Sequence, residues 1–285
     1  MHPKNKYQGS YDFEELLRTL PELKSAILKN PRGEDTIQFS DPKSVKLLNK
    51  ALLKNYYGID YWDVPNGYLV PPIPSRSDYI HHVAELIPPK ESQNIKMMDI
   101  GTGANLIYPI VAIASYGWSV IGTDIDPIAI KHAKDILINN PSLSNHCKLR
   151  QQTNSKYILK GMIHPGEYYD LVVCNPPFHS SQAKAQKAAS RKRKNLNYKK
   201  NSKVLNFGGQ SNELWYPGGE LAFLKRYIRE SKTYGSQLGW CTSLVSSHRH
   251  LVTLKQLLQE LRAQQTKIIS MKHGQKDTSV LCWRY

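Results

Sequence analysis

The sequence has few cysteines and no long apolar run. Its four cysteines, Cys147, Cys174, Cys241 and Cys282, form no CxxC pair, and three of them lie in apolar stretches that we predict to be strands. This usage predicts buried thiols in a reducing compartment. No stretch approaches the roughly 18 consecutive apolar residues of a membrane helix, and residues 1–6 lack the apolar stretch of a secretion signal. We therefore expect a soluble, cytoplasmic, monomeric protein with no membrane partner.

Acidic residues are scarce relative to basic ones. The 285 residues include 39 Lys and Arg against 23 Asp and Glu, which gives a formal net charge of +16. This excess is larger than solubility requires and predicts a polyanionic partner. Charge alone leaves RNA, DNA and an acidic surface open.

The chain changes character near residue 93, and we predict one domain on each side. Residues 1–92 are rich in loops and prolines, with helical spacing over 11–20, 44–56 and 78–87, which predicts a small, mostly helical N-terminal module. Residues 93–285 alternate β-branched runs with helical stretches, which predicts a Rossmann-like α/β fold around a mainly parallel sheet. The seven predicted strands cover 95–100, 119–123, 147–151, 171–174, 237–243, 266–271 and 279–283, and the helices cover 105–115, 127–139, 219–231 and 250–264.

A glycine turn follows the first predicted strand of this sheet. Residues 97–103 read Met-Met-Asp-Ile-Gly-Thr-Gly, so Gly101 and Gly103 let the backbone approach a ligand closely. The next strand ends at Asp124, about 20 residues further on, where doubly wound folds place a carboxylate that binds ribose hydroxyls. The full dinucleotide fingerprint is missing, and S-adenosylmethionine has no pyrophosphate to bind. The turn therefore favours S-adenosylmethionine over NAD and predicts a class I methyltransferase fold with seven strands.

This half of the site has one further candidate residue and one structural alternative. Asn154 follows the next strand, where a polar side chain can meet the cofactor's adenine, although ordinary loop polarity explains it equally well. A purely structural alternative is that the glycines only form a tight turn, while Asp124 and Asp126 cap the following helix.

Residues 169–178 form an apolar strand that two prolines stop, and they end in Asn175-Pro176-Pro177-Phe178. Ligands bind at the carboxyl edge of such sheets. The exocyclic amine of adenine is a poor nucleophile, and the Asn175 side-chain oxygen with the Pro176 carbonyl can accept its two N–H groups and orient its lone pair. Stacking on Phe178 is worth about 1–3 kcal/mol, against a few kcal/mol to extrude a base, which favours an unpaired adenine. The alternative is an ordinary turn.

A strongly basic segment follows this turn. Residues 171–212 contain no Asp or Glu. We predict that residues 179–212 form a cationic loop over the acceptor pocket, although a solvated loop or a localisation tract has the same composition. The proposed RNA contacts in it are Arg191, Lys192, Arg193, Lys194, Lys199 and Lys200.

Several motifs together resemble a single family. They are His2-Pro3-Lys4-Asn5, Tyr11-Asp12-Phe13, residues 72–79, Asn175 to Phe178, and Asn206-Phe207-Gly208-Gly209 with Glu213-Leu214-Trp215. Over nearly its whole length the chain resembles the RlmF family of 23S ribosomal RNA adenine N6-methyltransferases, which is related to the enzyme that methylates U6 small nuclear RNA. The resemblance implies S-adenosylmethionine as cofactor and one adenine of large-subunit ribosomal RNA, free or in an assembly particle, as substrate.

The same resemblance implies roles for particular residues. Residues 99–103, including Asp99, and Asp124 hold the cofactor, and Arg76 reaches its methionine carboxylate. The N-terminal module, with Lys4 and Lys6 among its basic first residues, forms part of an RNA groove.

Three alternatives remain open at this point. The Asn-Pro-Pro chemistry also suits DNA adenine or the side-chain amide of a protein glutamine, and a noncatalytic RNA-binding protein can keep the same fold. The histidines at 81–82 and 248–250 lack an accompanying carboxylate or thiol pattern, so we predict no metal site.

Overall fold

The computed structural model describes residues 1–88, 95–181, 214–273 and 276–285. Its strands, in chain order, are β1 (Ile27–Lys29), β2 (Asp35–Ile37), β3 (Lys96–Ile100), β4 (Ser119–Asp124), β5 (Cys147–Gln151), β6 (Tyr169–Cys174), β7 (Leu238–Val245), β8 (Gln265–His273) and β9 (Lys276–Arg284). The α-helices are α1 (Phe13–Thr19), α2 (Pro42–Tyr57), α3 (Ile73–Ala84), α4 (Ile107–Tyr116), α5 (Pro127–Ile138), α6 (Pro141–Ser144), α7 (Gly219–Thr233) and α8 (His248–Glu260). Two 3₁₀ helices cover Pro21–Ala26 and Gly235–Gln237.

Seven strands form one sheet in the order β5-β4-β3-β6-β7-β9-β8. The pairs from β5 to β7 are parallel, whereas β9 pairs antiparallel with both β7 and β8. Each of the seven predicted strands is present, which confirms the predicted fold class. The chain passes from β3 outward to β4 and β5 and then returns to β6 on the other side of β3. This reversal creates a crevice between the carboxyl ends of β3 and β6, the usual ligand position in such sheets.

Alternate residues of the central strands enter two different hydrophobic clusters. Met97 and Leu171 belong to the cluster on one face, which includes side chains of the N-terminal region, α4 and α5. Met98 and Val172 belong to the cluster on the other face, which is covered by α7 and α8. This alternation follows from the two-residue period of a strand, and the apolar runs arise because both faces are covered.

The N-terminal region packs directly on the first of these faces. Leu52 of α2 and Ile80 of α3 are fully buried in the same cluster as Met97. The hydrophobic core therefore continues across residue 93, and the predicted domain boundary there stays a prediction.

Local sequence explains where the helices begin and end. Asp41 accepts hydrogen bonds from the N–H groups of Lys43 and Ser44 at the start of α2, and Gly58 ends that helix with φ of +65°. The predicted start of α3 at residue 78 was wrong by one and a half turns, because the helix begins at Ile73 with a proline in its first turn. Proline is tolerated there, since the N–H that it lacks has no partner inside the helix.

The N-terminal region also contains a β-hairpin that the helical prediction missed. Strands β1 and β2 pair antiparallel from Ile27 opposite Ile37 to Lys29 opposite Asp35. The turn between them is held by Asn30, whose Oδ1 accepts hydrogen bonds from the N–H groups of Arg32 and Glu34. Strands of three residues give no clear alternation, but the Asn-Pro-Arg-Gly sequence of residues 30–33 is a turn signal that indicates them.

All four cysteines are buried and free. This confirms the prediction of unpaired thiols. Across the described ranges, no helix combines the length and the apolar character that crossing a bilayer demands.

Candidate active site

A cavity of about 620 Å³ opens at the crevice between β3 and β6. Six of the sequence-predicted site residues line it: Arg76, Gly101, Gly103, Asp124, Asn175 and Pro177. Register explains how two distant segments meet there. Ile100 of β3 pairs with Cys174 of β6, so the turn beginning at Gly101 and the turn beginning at Asn175 leave the sheet side by side.

The glycine turn needs its two glycines for conformational reasons. Gly101 and Gly103 have φ of +73° and +64°, in the left-handed region that side chains disfavour. The N–H groups of Gly101 and Thr102 both donate to the carbonyl of Thr123 at 2.9 Å, which binds the turn to the end of β4. The backbone of the turn therefore forms a fixed wall of the cavity.

Asp124 links this turn to the next helix. Its Oδ2 accepts from the N–H of Gly103 at 2.8 Å, and its Oδ1 accepts from the N–H of Asp126 at 2.9 Å. Burial raises the pKa of Asp124, and the backbone hydrogen bonds oppose that shift. Each carboxylate oxygen keeps a further lone pair, so the side chain can still accept hydroxyl groups of a ligand. Asp126 caps α5 by accepting from the N–H of Ile128, as the structural alternative expects.

Asp99 lies behind the glycine turn and not among the residues that line the cavity. Its side chain is fully buried in β3. Burial raises its pKa to about 7, the Thr102 hydroxyl opposes this shift, and the nearby charge of Asp124 adds to it. The cofactor role of Asp99 therefore stays a prediction. The geometry does not favour direct contact between Asp99 and a ligand in the cavity.

The peptide unit before Asn175 is held by buried hydroxyl groups. Tyr79 of α3 accepts a hydrogen bond from the N–H of Cys174 at 3.3 Å, and its hydroxyl lies 2.7 Å from that of Thr242. The Ser243 hydroxyl lies within hydrogen-bonding distance of two carbonyls, 3.1 Å from that of Leu244 and 3.4 Å from that of Cys174. These contacts fix the end of β6, from which the Asn175 side chain extends into the cavity.

The side-chain oxygen of Asn175 is the most informative atom of the site. Oδ1 is buried and accepts no hydrogen bond from any residue in the described ranges. A buried carbonyl oxygen without a donor costs about 1–3 kcal/mol, and such groups in native structures are commonly satisfied by ligands or water. The position is therefore ready to receive an N–H donor.

The rest of this motif surrounds Asn175 in different ways. Pro176 is buried, Pro177 lines the cavity, and Phe178 lies at the protein surface with 39% of its area exposed. Directly after it, His179 forms a parallel β-bridge with Trp215. The bridge places Trp215 and Tyr216 on the cavity wall beside the Asn175 turn.

Arg76 extends from α3 to the cavity. Its Nη1 donates to the hydroxyl of Tyr108 at 3.2 Å, and its guanidinium carbon lies 6.0 Å from the centre of the Tyr108 ring. Tyr108, which follows the glycine turn at the start of α4, also lines the cavity. The cation is thus fixed close to the glycine turn.

Asn154 does not line the cavity. Its side chain is exposed and accepts a hydrogen bond from the N–H of Lys156 at 3.0 Å, so it stabilises the turn after β5. The residues of this segment that do line the cavity are Gln152, Ser155, Lys156, Tyr157 and Ile158. The segment predicted to contact the cofactor thus reaches the cavity through neighbours of Asn154, and the role of Asn154 itself stays a prediction.

The structure adds cavity residues that we did not assign to the site from the sequence. They are Trp215, Tyr216 and Pro217 before α7, and Ala222, Phe223, Arg226 and Arg229 on α7. The Glu213-Leu214-Trp215 motif was a signal for the first group. The helix residues recur at intervals of three and four, but only the packing of α7 decides which of its faces meets the cavity.

The predicted RNA-binding residues lie in two places. Lys4 and Lys6 are exposed near the N-terminus, and the Nζ of Lys4 lies 5.4 Å from the centre of the Tyr116 ring. The basic residues Arg191, Lys192, Arg193, Lys194, Lys199 and Lys200 lie outside the described residues.

The histidines near the N-terminus form a network around α3. The backbone N–H of His2 donates to Asp78, and Asn5 donates to Asp78 and to the carbonyl of Pro74. The ligand atoms of His2, His82 and Glu85 lie within 4.8 Å of one another.

Hydrogen bonds determine which nitrogen of His2 carries the proton. The N–H of Lys4 donates to Nδ1 of His2, so in the neutral ring Nε2 carries the proton and donates to Glu85 at 2.9 Å. In this tautomer Nε2 offers no lone pair to a metal ion. These contacts thus explain the cluster as a hydrogen-bond network that attaches the first residues of the chain to α3.

Comparison with known proteins places the chain among enzymes that modify RNA. A family model described as RNA methyltransferase matches residues 1–285. The ribosomal RNA large subunit methyltransferase F of Psychrobacter sp. (strain PRwf-1) is 47% identical, with 100% of this chain and 93% of that protein covered. The protein of the same name from Bacteroides thetaiotaomicron is 45% identical, with coverages of 100% and 97%.

Solved structures agree with these relatives. The hMettl16 catalytic domain in complex with the MAT2A 3′UTR hairpin 1 is 30% identical, with a TM-score of 0.85 and coverages of 100% of this chain and 95% of that chain. The N-terminal domain of human METTL16 in complex with SAH is 27% identical, with a TM-score of 0.80 and coverages of 100% and 98%. The fold and the resemblance to the RlmF family are confirmed. Because the family model and these relatives span the whole chain, this protein belongs to the RNA methyltransferase family.

Proposed function

We propose that this protein transfers a methyl group from S-adenosylmethionine to the N6 amine of one adenine in large-subunit ribosomal RNA. The observation that carries the proposal is the buried Asn175 Oδ1, which accepts no hydrogen bond from the described residues and lies on the same cavity as the glycine turn. The names of the ribosomal relatives support the substrate class.

The residues at one end of the cavity fit the cofactor. Gly101 and Gly103 allow close approach of the backbone, and Asp124 can accept the ribose hydroxyls through its remaining lone pairs. Arg76 is a candidate partner for the methionine carboxylate. S-adenosylmethionine, when bound, supplies an electrophilic methyl group on its sulfonium.

The residues at the other end orient the acceptor. The Asn175 oxygen accepts one N–H of the adenine amine and the Pro176 carbonyl accepts the other, so the nitrogen lone pair points along the line of attack. Methyl transfer would form an N–C bond as the C–S bond of the cofactor breaks, the sulfur would leave as a neutral thioether, and one amine proton would then be lost. Neither an amide nor a proline is basic enough to keep that proton, so it passes to water. Asn175 therefore contributes orientation and hydrogen bonding rather than general base catalysis.

Phe178 supports an unpaired adenine as target. Its ring is 39% exposed beside the Asn175 turn and offers a face for stacking. Stacking worth about 1–3 kcal/mol only partly offsets the few kcal/mol needed to extrude a paired base. Loops and bulges avoid this cost, so we infer that the target base is unpaired before binding.

Incubation with radiolabelled S-adenosylmethionine and separate pools of ribosomal RNA, DNA and protein tests the proposal. The expected result is label in large-subunit ribosomal RNA, recovered as N6-methyladenosine after digestion. Label in DNA or in protein glutamine would replace the proposed substrate. Binding of RNA without any binding of the cofactor in calorimetry would indicate a noncatalytic protein.

Asn175→Ala tests the mechanism. We expect the methylation rate to fall at least about 100-fold, the scale of losing one positioned catalytic hydrogen-bonding group, while the cofactor Kd changes only a few fold. Asn145→Ala, which removes the same groups from an exposed residue, is the matched control. A rate for Asn175→Ala close to that of the control would contradict the mechanism.

A further inference from the structure

Helix α7 presents two arginines to the cavity, on the side formed by Tyr216 and Phe223. Arg226 and Arg229 lie three residues apart, so they share one face of the helix with Phe223. Arg226 is half-buried and Arg229 is exposed. This face of the helix therefore begins at the cavity wall and continues toward solvent.

The charges around the cavity exceed what the cofactor can balance. Its basic lining residues are Arg76, Lys156, Arg226 and Arg229, whereas Asp124 is its acidic lining residue in the described ranges. S-adenosylmethionine has one carboxylate, for which Arg76 is the candidate, and its sulfonium and ammonium groups are cationic. The other basic residues are therefore available to an anion from a different ligand.

Arg226 lies close to residues at the acceptor end of the cavity. Its guanidinium carbon lies 5.8 Å from the centre of the Tyr216 ring, a distance at which a cation and an aromatic face attract. The N–H of Tyr216 donates to the carbonyl of His179 at 3.0 Å. Arg226 is therefore attached, through Tyr216, to the residue that follows Phe178.

The neighbouring acid does not neutralise these arginines. The Glu230 carboxylate accepts hydrogen bonds from the N–H groups of Ile158, Leu159 and Lys160, at 2.7 to 3.2 Å. It thus serves the segment that lines the cofactor end of the cavity. Considering only residues that the structure describes, neither Arg226 nor Arg229 has an Asp or Glu oxygen within 4.0 Å.

We propose that Arg226 and Arg229 form a phosphate-binding subsite for the RNA backbone next to the target adenosine. The inference rests on the proposed function, because it takes the acceptor to be a nucleotide. A guanidinium matches the geometry of a phosphodiester and binds it by charge-assisted hydrogen bonds. With the base at Asn175 and Phe178, a phosphate at Arg226 fixes the nucleotide at two points, which sets the direction of the strand through the cavity.

The test compares two double variants of the same helix. R226Q/R229Q removes the proposed subsite, and K225Q/K232Q removes the same charge from residues that do not line the cavity. Binding of a fluorescent RNA hairpin with one unpaired adenosine is followed by anisotropy at several salt concentrations, and cofactor Kd is measured by calorimetry. For R226Q/R229Q we expect RNA Kd to rise about tenfold per arginine, and the salt slope to decrease by about 1.4 in total. The cofactor Kd should stay unchanged.

Three results would overturn the inference. Equal effects of both double variants would indicate general attraction by the charge of α7. An unchanged salt slope for R226Q/R229Q would mean that no phosphate is bound there, and loss of cofactor affinity would assign the arginines to the cofactor. Methylation of large-subunit ribosomal RNA by the unaltered protein is measured in parallel. Absence of methylation refutes the proposed function, whereas normal methylation with any of the three results refutes only the subsite.

Discussion

Replacing Tyr79 by Phe is the sharpest test of how the Asn175 turn is positioned. The tyrosine is fully buried in α3, and its hydroxyl lies between the N–H of Cys174 and the hydroxyl of Thr242. Thr242 donates its own proton to the carbonyl of Val172 at 2.9 Å. We therefore assign the Tyr79 proton to Thr242 at 2.7 Å and not to the more distant Cys174 carbonyl at 3.5 Å, while the Tyr79 oxygen accepts from the N–H of Cys174.

The expected loss of stability follows from the group that Tyr79→Phe leaves without a hydrogen-bond partner. Tyr79→Phe keeps the ring and its packing but removes the acceptor of the Cys174 N–H. A buried donor without a partner costs about 1–3 kcal/mol. Thr242 keeps its bond to Val172, so no second group is orphaned. At roughly 2–4 °C per kcal/mol, Tm should fall by a few degrees, without loss of the fold.

The effect on catalysis should exceed the effect on binding. Relaxation of Cys174 moves Asn175, and small misplacements of a reacting group cost up to about 100-fold in rate. We expect kcat to fall about 10- to 100-fold, while KM for RNA and the cofactor Kd remain near their original values. Steady-state kinetics, calorimetry and thermal unfolding measure these quantities on the same protein.

Tyr227→Phe is the matched control, because Tyr227 is equally buried on the other face of the sheet. The neighbour of its hydroxyl is the thiol of Cys241, a weak hydrogen-bonding group, and no backbone N–H depends on it in the described part of the chain. This variant should therefore keep its stability and its kcat. Equal losses in both variants, or a Tyr79→Phe enzyme with unaltered kcat, would refute the positioning role.

Two further predictions concern Asp99 and Phe178. Burial holds the pKa of Asp99 at about 7 against a usual value of 3.8, so between these pH values the folded state binds the extra proton and stability falls as pH rises. Asp99→Asn should therefore be more stable than the unaltered protein above about pH 7 and should lose this advantage below about pH 4. Urea unfolding of both proteins at several pH values measures the difference. A difference in stability that does not change with pH would contradict the prediction. Phe178→Ala should raise KM for RNA about 5- to 150-fold, as loss of about 1–3 kcal/mol of stacking requires, with cofactor Kd unchanged. An unchanged KM in steady-state methylation assays would remove Phe178 from the base site.

The sheet was predictable because its strands carry a strong local signal. Residues 169–174 and 238–245 are buried on both faces, so they appear in the sequence as mainly apolar runs bounded by turns. The hairpin of residues 27–37 lacks that signal, since its three-residue strands give no clear alternation and only the turn sequence of residues 30–33 indicates it. The start of α3 was misplaced because proline ends a helix in its interior but is favoured in its first turn.

The site was predictable where it depends on strand ends and not where it depends on packing. Gly101 and Asn175 each follow a parallel strand and Asp124 ends one, and parallel strands bring their carboxyl ends to one edge. The α7 residues Arg226 and Arg229 reach the same cavity only through the orientation of their helix. Asn154 illustrates the limit within a single loop, because the choice among neighbouring polar residues depends on which way the backbone turns.

Residues of the N-terminal region contact both halves of the site through hydrogen bonds. At the cofactor half, Trp62 donates to the carbonyl of Asn105 at 2.8 Å, and Tyr68 donates to Asp126 at 2.7 Å. At the acceptor half, Tyr79 holds the backbone before Asn175. Because one continuous core joins these contacts, the N-terminal region is packed as one unit with the glycine turn and with the Asn175 turn. If the N-terminal region binds RNA, as we predict from the sequence, the same packing would set both the position of the RNA and the geometry of the site.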